Sequence, residues 1–118
     1  MLVKFEMISE NVNINFQVFG KKNGNVLSFP DKSVPNTMMH VTINPNSVII
    51  ERIGSVVMKQ EFKLNQKCEG YYQNDLGLEF EIYSYAKEIV VTENSINILY
   101  EHYLSDNWQS SNKLKILF

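Results

Sequence analysis

Alanine occurs once in this chain, at Ala86, and arginine once, at Arg52. Helices lean on alanine and arginine, so the shortage argues against a helical domain. Abundant asparagine, lysine and isoleucine also fit an AT-rich genome, and composition alone leaves the two causes open. Under the second, Arg52 gains interest, because lysine was the readily available cation and serves everywhere else. A single cysteine, Cys68, excludes an internal disulfide and suits a reducing compartment, so a cytoplasmic location is expected. No apolar run approaches the ~18–20 residues that a transmembrane helix needs. The stretch Met1–Glu6 alternates charged and apolar residues, which is unlike a signal peptide. A net charge of −2 and a pI near 5.6 give no general attraction to nucleic acid or to anionic membrane. Trp108, Tyr100 and Tyr103 offer stacking surfaces, but no basic stripe accompanies them.

Chemistry-bearing motifs are equally scarce. His40 and His102 are isolated and Cys68 has no second thiol, so no metal signature forms and no cofactor is expected. There is no phosphate-cradling glycine loop, no G-x-S-x-G elbow and no paired-carboxylate motif. Spacing identifies no base for Cys68. The expectation is a protein that is not an enzyme.

What is present is alternation. With 44% hydrophobic and 20% charged residues over 118 positions, the chain reads as one folded domain, residues 1–118, able to bury a core. Val3, Phe5 and Met7 alternate with Lys4 and Glu6, and Val12 to Val18 alternates apolar with amide side chains. Gly20–Gly24 reads as a turn, Val26–Phe29 as a short edge strand stopped by Pro30, and Asp31–Asn36 as an irregular strap. Alternation resumes at Thr37–Ile43 and recurs at Leu78–Ile82; Glu88–Thr92 and Ile96–Tyr103 read as a hairpin about Glu93-Asn94-Ser95, and the final Leu114, Ile116 and Phe118 are spaced two apart. No segment keeps a 3.6-residue apolar period. Many short strands joined by brief turns predict an all-β, antiparallel up-and-down barrel of about 8–10 strands. The expected interior set is Phe5, Ile14, Phe16, Val41, Val48, Ile50, Met58, Phe62, Leu78, Phe80, Ile98 and Ile116.

The hairpin Val48–Phe62, folded at Gly54-Ser55, holds the candidate site. Glu51 and Arg52 are adjacent and must face opposite ways. With Val48 and Ile50 inward, Arg52 points inward too. A guanidinium inside a barrel keeps its proton and needs a partner, either a protein carboxylate or a bound anion. Glu79, Glu81 and Glu101 are the carboxylates considered for it. Gln60 shares the apolar face with Met58 and Phe62 and needs partners of its own. Among six tyrosines, Tyr72 and Tyr100 join Arg52 and Gln60 as candidate ligand-binding residues.

Val48-x-Ile50-x-Arg52-x-Gly54, then Met58, Phe62, Tyr72 and Gly77, resembles the YwiB-like bacterial proteins of unknown function. The resemblance runs from Met39 to Phe118, with Ile98-x-Tyr100 and Leu114-Lys115-Ile116 as weaker echoes. It departs at Asn74-Asp75, where the family tends to have Thr-Pro, and Met1–Phe29 match by pattern only. It implies a calycin-like, lipocalin-like barrel and carries no activity to any residue. Two functions follow by analogy with such barrels. One is an interior that binds a small amphipathic or anionic molecule. The other is a filled barrel that docks another protein. Neither nucleic acid nor a membrane span is expected, and nothing in the sequence specifies an oligomeric state.

Overall fold

Alternation becomes strand along nearly the whole chain. The computed structural model describes residues 1–118 and contains eleven antiparallel strands and no helix. In chain order these are β1 (Leu2–Ile8), β2 (Asn13–Phe19), β3 (Lys21–Asn23), β4 (Val26–Pro30), β5 (Met38–Asn44) and β6 (Ser47–Ile53). They continue as β7 (Val57–Phe62), β8 (Lys67–Gln73), β9 (Glu79–Val91), β10 (Ser95–Leu104) and β11 (Asn107–Leu117). Consecutive strands pair, and β1 also pairs with β11, placing Phe5 opposite Ile116, so the sheet curls round on itself. The one break in the ladder lies between β2 and β3.

That seam is closed by packing. Gly20 turns the corner, its N–H donating to the Met1 carbonyl at 2.9 Å. A Cβ there would stand 2.8 Å from the Ser28 carbonyl oxygen and 2.9 Å from a Val3 methyl, so only glycine fits without movement. Phe5 stacks on Phe16 at 5.0 Å, and both rings lie against Phe29 of β4, at 6.2 and 6.4 Å. The result is a nearly closed up-and-down barrel, consistent with a calycin-like fold. Its strand count exceeds the expected 8–10 mainly because Lys21–Asn23, all exposed and without apolar alternation, pairs with Val26–Ser28 through backbone alone. No helix is long and apolar enough to cross a membrane.

Most of the expected interior set is buried: Phe5, Val41, Val48, Ile50, Met58, Phe62, Ile98 and Ile116. Ile14 and Phe16 pack half-buried against that cluster. Two assignments are corrected. Leu78 is 56% exposed because it precedes β9, in the turn that Asn74 organises by accepting the Leu76 and Leu78 N–H groups at 3.0 Å. Phe80 shares the inward face of Ile82, Ser84 and Ala86, yet is 38% exposed because it stands at the unfilled end of the barrel. Leu78→Ala and Phe80→Ala are therefore expected to cost about 1 kcal/mol or less in thermal denaturation. A loss above about 3 kcal/mol for either would restore it to the core.

The strap 31–36 docks on the β6–β7 turn. The Ser55 hydroxyl donates to the Pro35 carbonyl, as does the Thr37 hydroxyl at 3.0 Å. A Cβ on Gly54 would stand 2.0 Å from the Asn36 carbonyl oxygen. Gly54→Ala must push the strap off the turn, at an expected cost of about 1–3 kcal/mol in urea unfolding. An unchanged midpoint would mean that the strap is not held there.

Outward positions on β10 and β11 carry polar contacts. Glu101 accepts from Lys87 Nζ at 2.7 Å, from the Ser111 hydroxyl, and from Trp108 Nε1 at 3.0 Å. Lys87 first, then Ser111 and Trp108, hold its carboxyl at about 2, below the ordinary 4.5. A depressed carboxyl stabilises the fold above its unfolded pKa, so this contribution fades as pH falls from about 4.5 through about 2. Lys87 is exposed and solvent-screened, so the effect on stability is small. Fluorescence of Trp108, the only tryptophan, should report the titration with a midpoint near 2, and Glu101→Gln should abolish the step. A midpoint near 4.5 would mean that the cluster is open in solution.

Candidate functional site

The alternation of β6 buries Val48 and Ile50 and carries Arg52 inward, between Met39 of β5 and Met58 of β7. Its Nε donates to Asp31 Oδ2 at 2.8 Å; the Asp31 side chain is 0% exposed and that of Arg52 is 13% exposed. Asp31 Oδ1 accepts the Ser33 N–H at 2.8 Å and the Ser33 hydroxyl, and the Asp31 N–H donates to the Thr37 carbonyl at 2.9 Å. The partner of Arg52 is thus the first residue of the strap, and none of Glu79, Glu81 and Glu101. Those three occupy odd positions on β9 and β10, which face outward: Glu101 holds Lys87, and Glu81 accepts from the Tyr83 hydroxyl. The signal for Asp31 was local. Asp31-Lys32-Ser33 directly after Pro30 is an Asx-type turn, whose carboxylate is held in place by its own backbone.

With Nε committed to Asp31, the two terminal nitrogens of the guanidinium remain for other partners. Nη1 meets the Met58 sulfur at 3.4 Å, and neither terminal nitrogen has an oxygen partner. Arg52 lines an inner chamber of about 210 Å³ together with Gln60, Tyr100, His102, Ser110 and Asn112, and this chamber opens to solvent beside Ser9 and Val12 of the β1–β2 turn. Tyr100 lies edge-on to Phe62 at 4.7 Å, and its hydroxyl donates to the Met7 sulfur at 3.6 Å. Burial pushes this phenol above its ordinary 10.0, opposed by the Asn112 amide, the Arg52 charge and the Gln60 amide. Gln60, itself buried, reaches Ser84 Oγ at 3.5 Å.

Three of the four expected residues, Arg52, Gln60 and Tyr100, therefore meet in one chamber. Tyr72 stands in the next, a mouth of about 410 Å³ walled by Met58, Phe80, Ile82 and Leu104. There it stacks on Phe80 with ring centres 6.2 Å apart. Met58 and His102 line both chambers, so the two are contiguous.

The inner chamber adds polar residues that were not among the expected site residues, His102 and Asn112 foremost. His102 Nδ1 and Asn112 Oδ1 are buried with no hydrogen-bond partner. Such orphans are uncommon in folded proteins and mark places where a partner belongs. Burial lowers the His102 imidazole below its ordinary 6.5, which keeps it neutral at pH 7. His102 lies two residues after Tyr100 on β10, so the same alternation that turned Tyr100 inward would have found it. In the register, Tyr100 opposes Asn112 and His102 opposes Ser110, which sets all four in one patch of the lumen. A larger hollow, about 760 Å³, lies at the opposite end of β6 between the β5–β6 turn and the end of β9. Its lining of Asn, Gln, Ser, Pro and aliphatic side chains contains no titratable group.

A family model described as "Domain of unknown function (DUF1934)" matches residues 4–116. The chain belongs to that family. The crystal structure of the YwiB protein from Bacillus subtilis superposes with a TM-score of 0.68 at 18% sequence identity, covering 98% of this chain and 85% of that one. The resemblance read from Arg52, Gly54 and the flanking β-residues is thereby borne out, and the likeness to YwiB is one of fold. The curated proteins give no match. Family membership assigns no activity, so the chemistry of the chambers carries what can be said of function.

Proposed function

We propose that this barrel binds a small amphipathic molecule at its open end. The polar part would lie against Arg52, Gln60, Tyr100, His102 and Asn112, and the apolar part against Tyr72, Phe80, Met58 and Leu104. The observation that carries the reading is the coincidence of unspent hydrogen-bonding capacity with space. Arg52 Nη1 and Nη2, His102 Nδ1 and Asn112 Oδ1 lack oxygen or nitrogen partners beside two contiguous chambers. An apolar wall with a few convergent polar groups is the usual make-up of a small-molecule site. A binding role, rather than a catalytic one, also suits Cys68, since burial pushes its thiol above the ordinary 9.0, the opposite of an activated nucleophile. A free thiol accords with a cytoplasmic place of action.

Native mass spectrometry of the protein purified from its own host tests this reading. A small-molecule adduct is expected on the wild type and not on Ser110→Trp, which sets an indole in the inner chamber. Adduct-free protein from every preparation, with no small molecule perturbing chamber residues in a fragment screen, would sink it. The second reading, a module that docks another protein, draws support from Leu76 and Leu78, which project into solvent from the turn before β9. Loss of a co-purifying protein in Leu76→Asp/Leu78→Asp, with no adduct on the wild type, would favour it.

A further inference from the structure

The inner chamber has an unusual charge balance. Among the side chains lining both chambers, Arg52 alone carries a permanent charge. That charge is already matched by a carboxylate at 2.8 Å, on a side chain wholly shielded from solvent. Every other polar side chain in the inner chamber is neutral at pH 7: the Gln60 and Asn112 amides, the Ser9, Tyr100 and Ser110 hydroxyls, and the His102 imidazole. An incoming carboxylate would set a second negative charge on one guanidinium without a second cation. It would also bring no donor to Asn112 Oδ1, which can only accept.

Resting on the ligand-binding reading above, we propose that the group seated against Arg52 is uncharged and carries both an acceptor and a donor, as a carboxamide or a hydroxylated ring does. Its carbonyl or hydroxyl oxygen takes N–H groups from the Arg52 terminal nitrogens, and its own N–H or O–H donates to Asn112 Oδ1. The terminal torsion of Asn112 is soft, so its oxygen turns toward a donor at small cost. The Arg52–Asp31 pair then acts as a fixed dipole rather than as a free cation. Such a site rejects an analogue that leaves its buried polar groups unpaired.

Phenylacetamide and phenylacetate have nearly the same shape and differ in charge and in the N–H donor. Their phenyl group suits the Tyr72–Phe80 wall. Titrated into the full chain at pH 7 and followed by nuclear magnetic resonance, phenylacetamide should perturb the Asn112 and Gln60 side-chain amide signals. It should bind about tenfold more tightly than phenylacetate. Asn112→Leu should lower the ratio without reversing it, because the charge balance at Arg52 is unchanged. Asp31→Asn, where its amide spectrum keeps the wild-type fold, should reverse the preference, because Arg52 is then unbalanced. Tighter binding of phenylacetate to the wild type would overturn the uncharged head group and leave the ligand-binding reading standing. Equal affinities, or a ratio that Asn112→Leu does not change, would overturn it as well. If neither probe perturbs a residue of either chamber, the head-group proposal falls, while the ligand-binding reading falls only with adduct-free protein and a blank fragment screen.

Discussion

Phe29→Ala is expected to lower the stability of the barrel by about 3–5 kcal/mol. Phe29 is fully buried, and its ring touches Phe5 of β1 and Phe16 of β2 across the only junction that has no strand-to-strand ladder. Elsewhere the loss of one side chain leaves paired backbone on both sides. Here the aromatic trio and the Gly20 corner hold the two ends of the sheet together. Truncation therefore removes the transfer free energy of a ring and opens a cavity at a place that collapses by parting rather than by tightening. The β2–β3 edges should also exchange amide hydrogens faster than the rest of the sheet. Phe19→Ala is the control, since that ring is 80% exposed two residues before Lys21, and should shift the urea midpoint hardly at all. A Phe29→Ala protein within about 1 kcal/mol of wild type would mean that the seam is held by something other than these rings.

Much of this architecture was legible because a strand writes its two faces alternately into the sequence. Val48, Ile50 and Arg52 took the inward face as their spacing required, and so did Met58, Gln60 and Phe62 across the hairpin. Alternation does not say where a strand stops. Leu78 continued the rhythm of Phe80 and Ile82 although β9 had not yet begun, and Phe80 kept the inward face at a height where the barrel holds no packing partners. Nor does alternation speak for segments that lack it. The strand β3 exists through backbone pairing alone, and Asp31 belongs to a strap whose local turn chemistry, rather than any periodicity, delivers a carboxylate to Arg52.

The candidate site divides along the same line. Arg52, Gln60 and Tyr100 were visible as polar residues at apolar positions of good strands. Asn112 was hidden because β11 is weakly alternating near its start, running exposed from Asn107 to Gln109. His102 was read for metal chemistry and not for position, although register places it beside Tyr100's own neighbours. Two bulges flank this stretch of β10, one between Leu99 and Tyr100 against β9, the other between His102 and Tyr103 against β11. Bulges re-aim side chains and are common beside functional sites. These two bracket the pair that lines the inner chamber.

Arg52→Met is expected to cost about 3–5 kcal/mol, because it leaves the buried Asp31 carboxylate without its cation. The loss comes less from the pair's attraction than from the charge left behind. Asp31→Leu in the same background should then recover part of the stability, since it removes the stranded charge but also takes the acceptor from the Ser33 N–H and hydroxyl. A double-mutant cycle on Arg52→Met and Asp31→Leu separates the two contributions. Strong coupling, with the double variant more stable than either single one, is the expected pattern. Additive losses would mean that the two side chains act independently and that the 2.8 Å contact holds little. Arg52→Lys gives a sharper check on geometry. A lysine offers one flexible ammonium where arginine offers Nε to Asp31 and two further nitrogens to the chamber. It should therefore retain part of the stability through Asp31 while losing the contacts proposed for a ligand. If Arg52→Lys matched the wild type in both respects, the forked arrangement would be irrelevant, and a plain positive charge at the end of β6 would be all that the barrel requires.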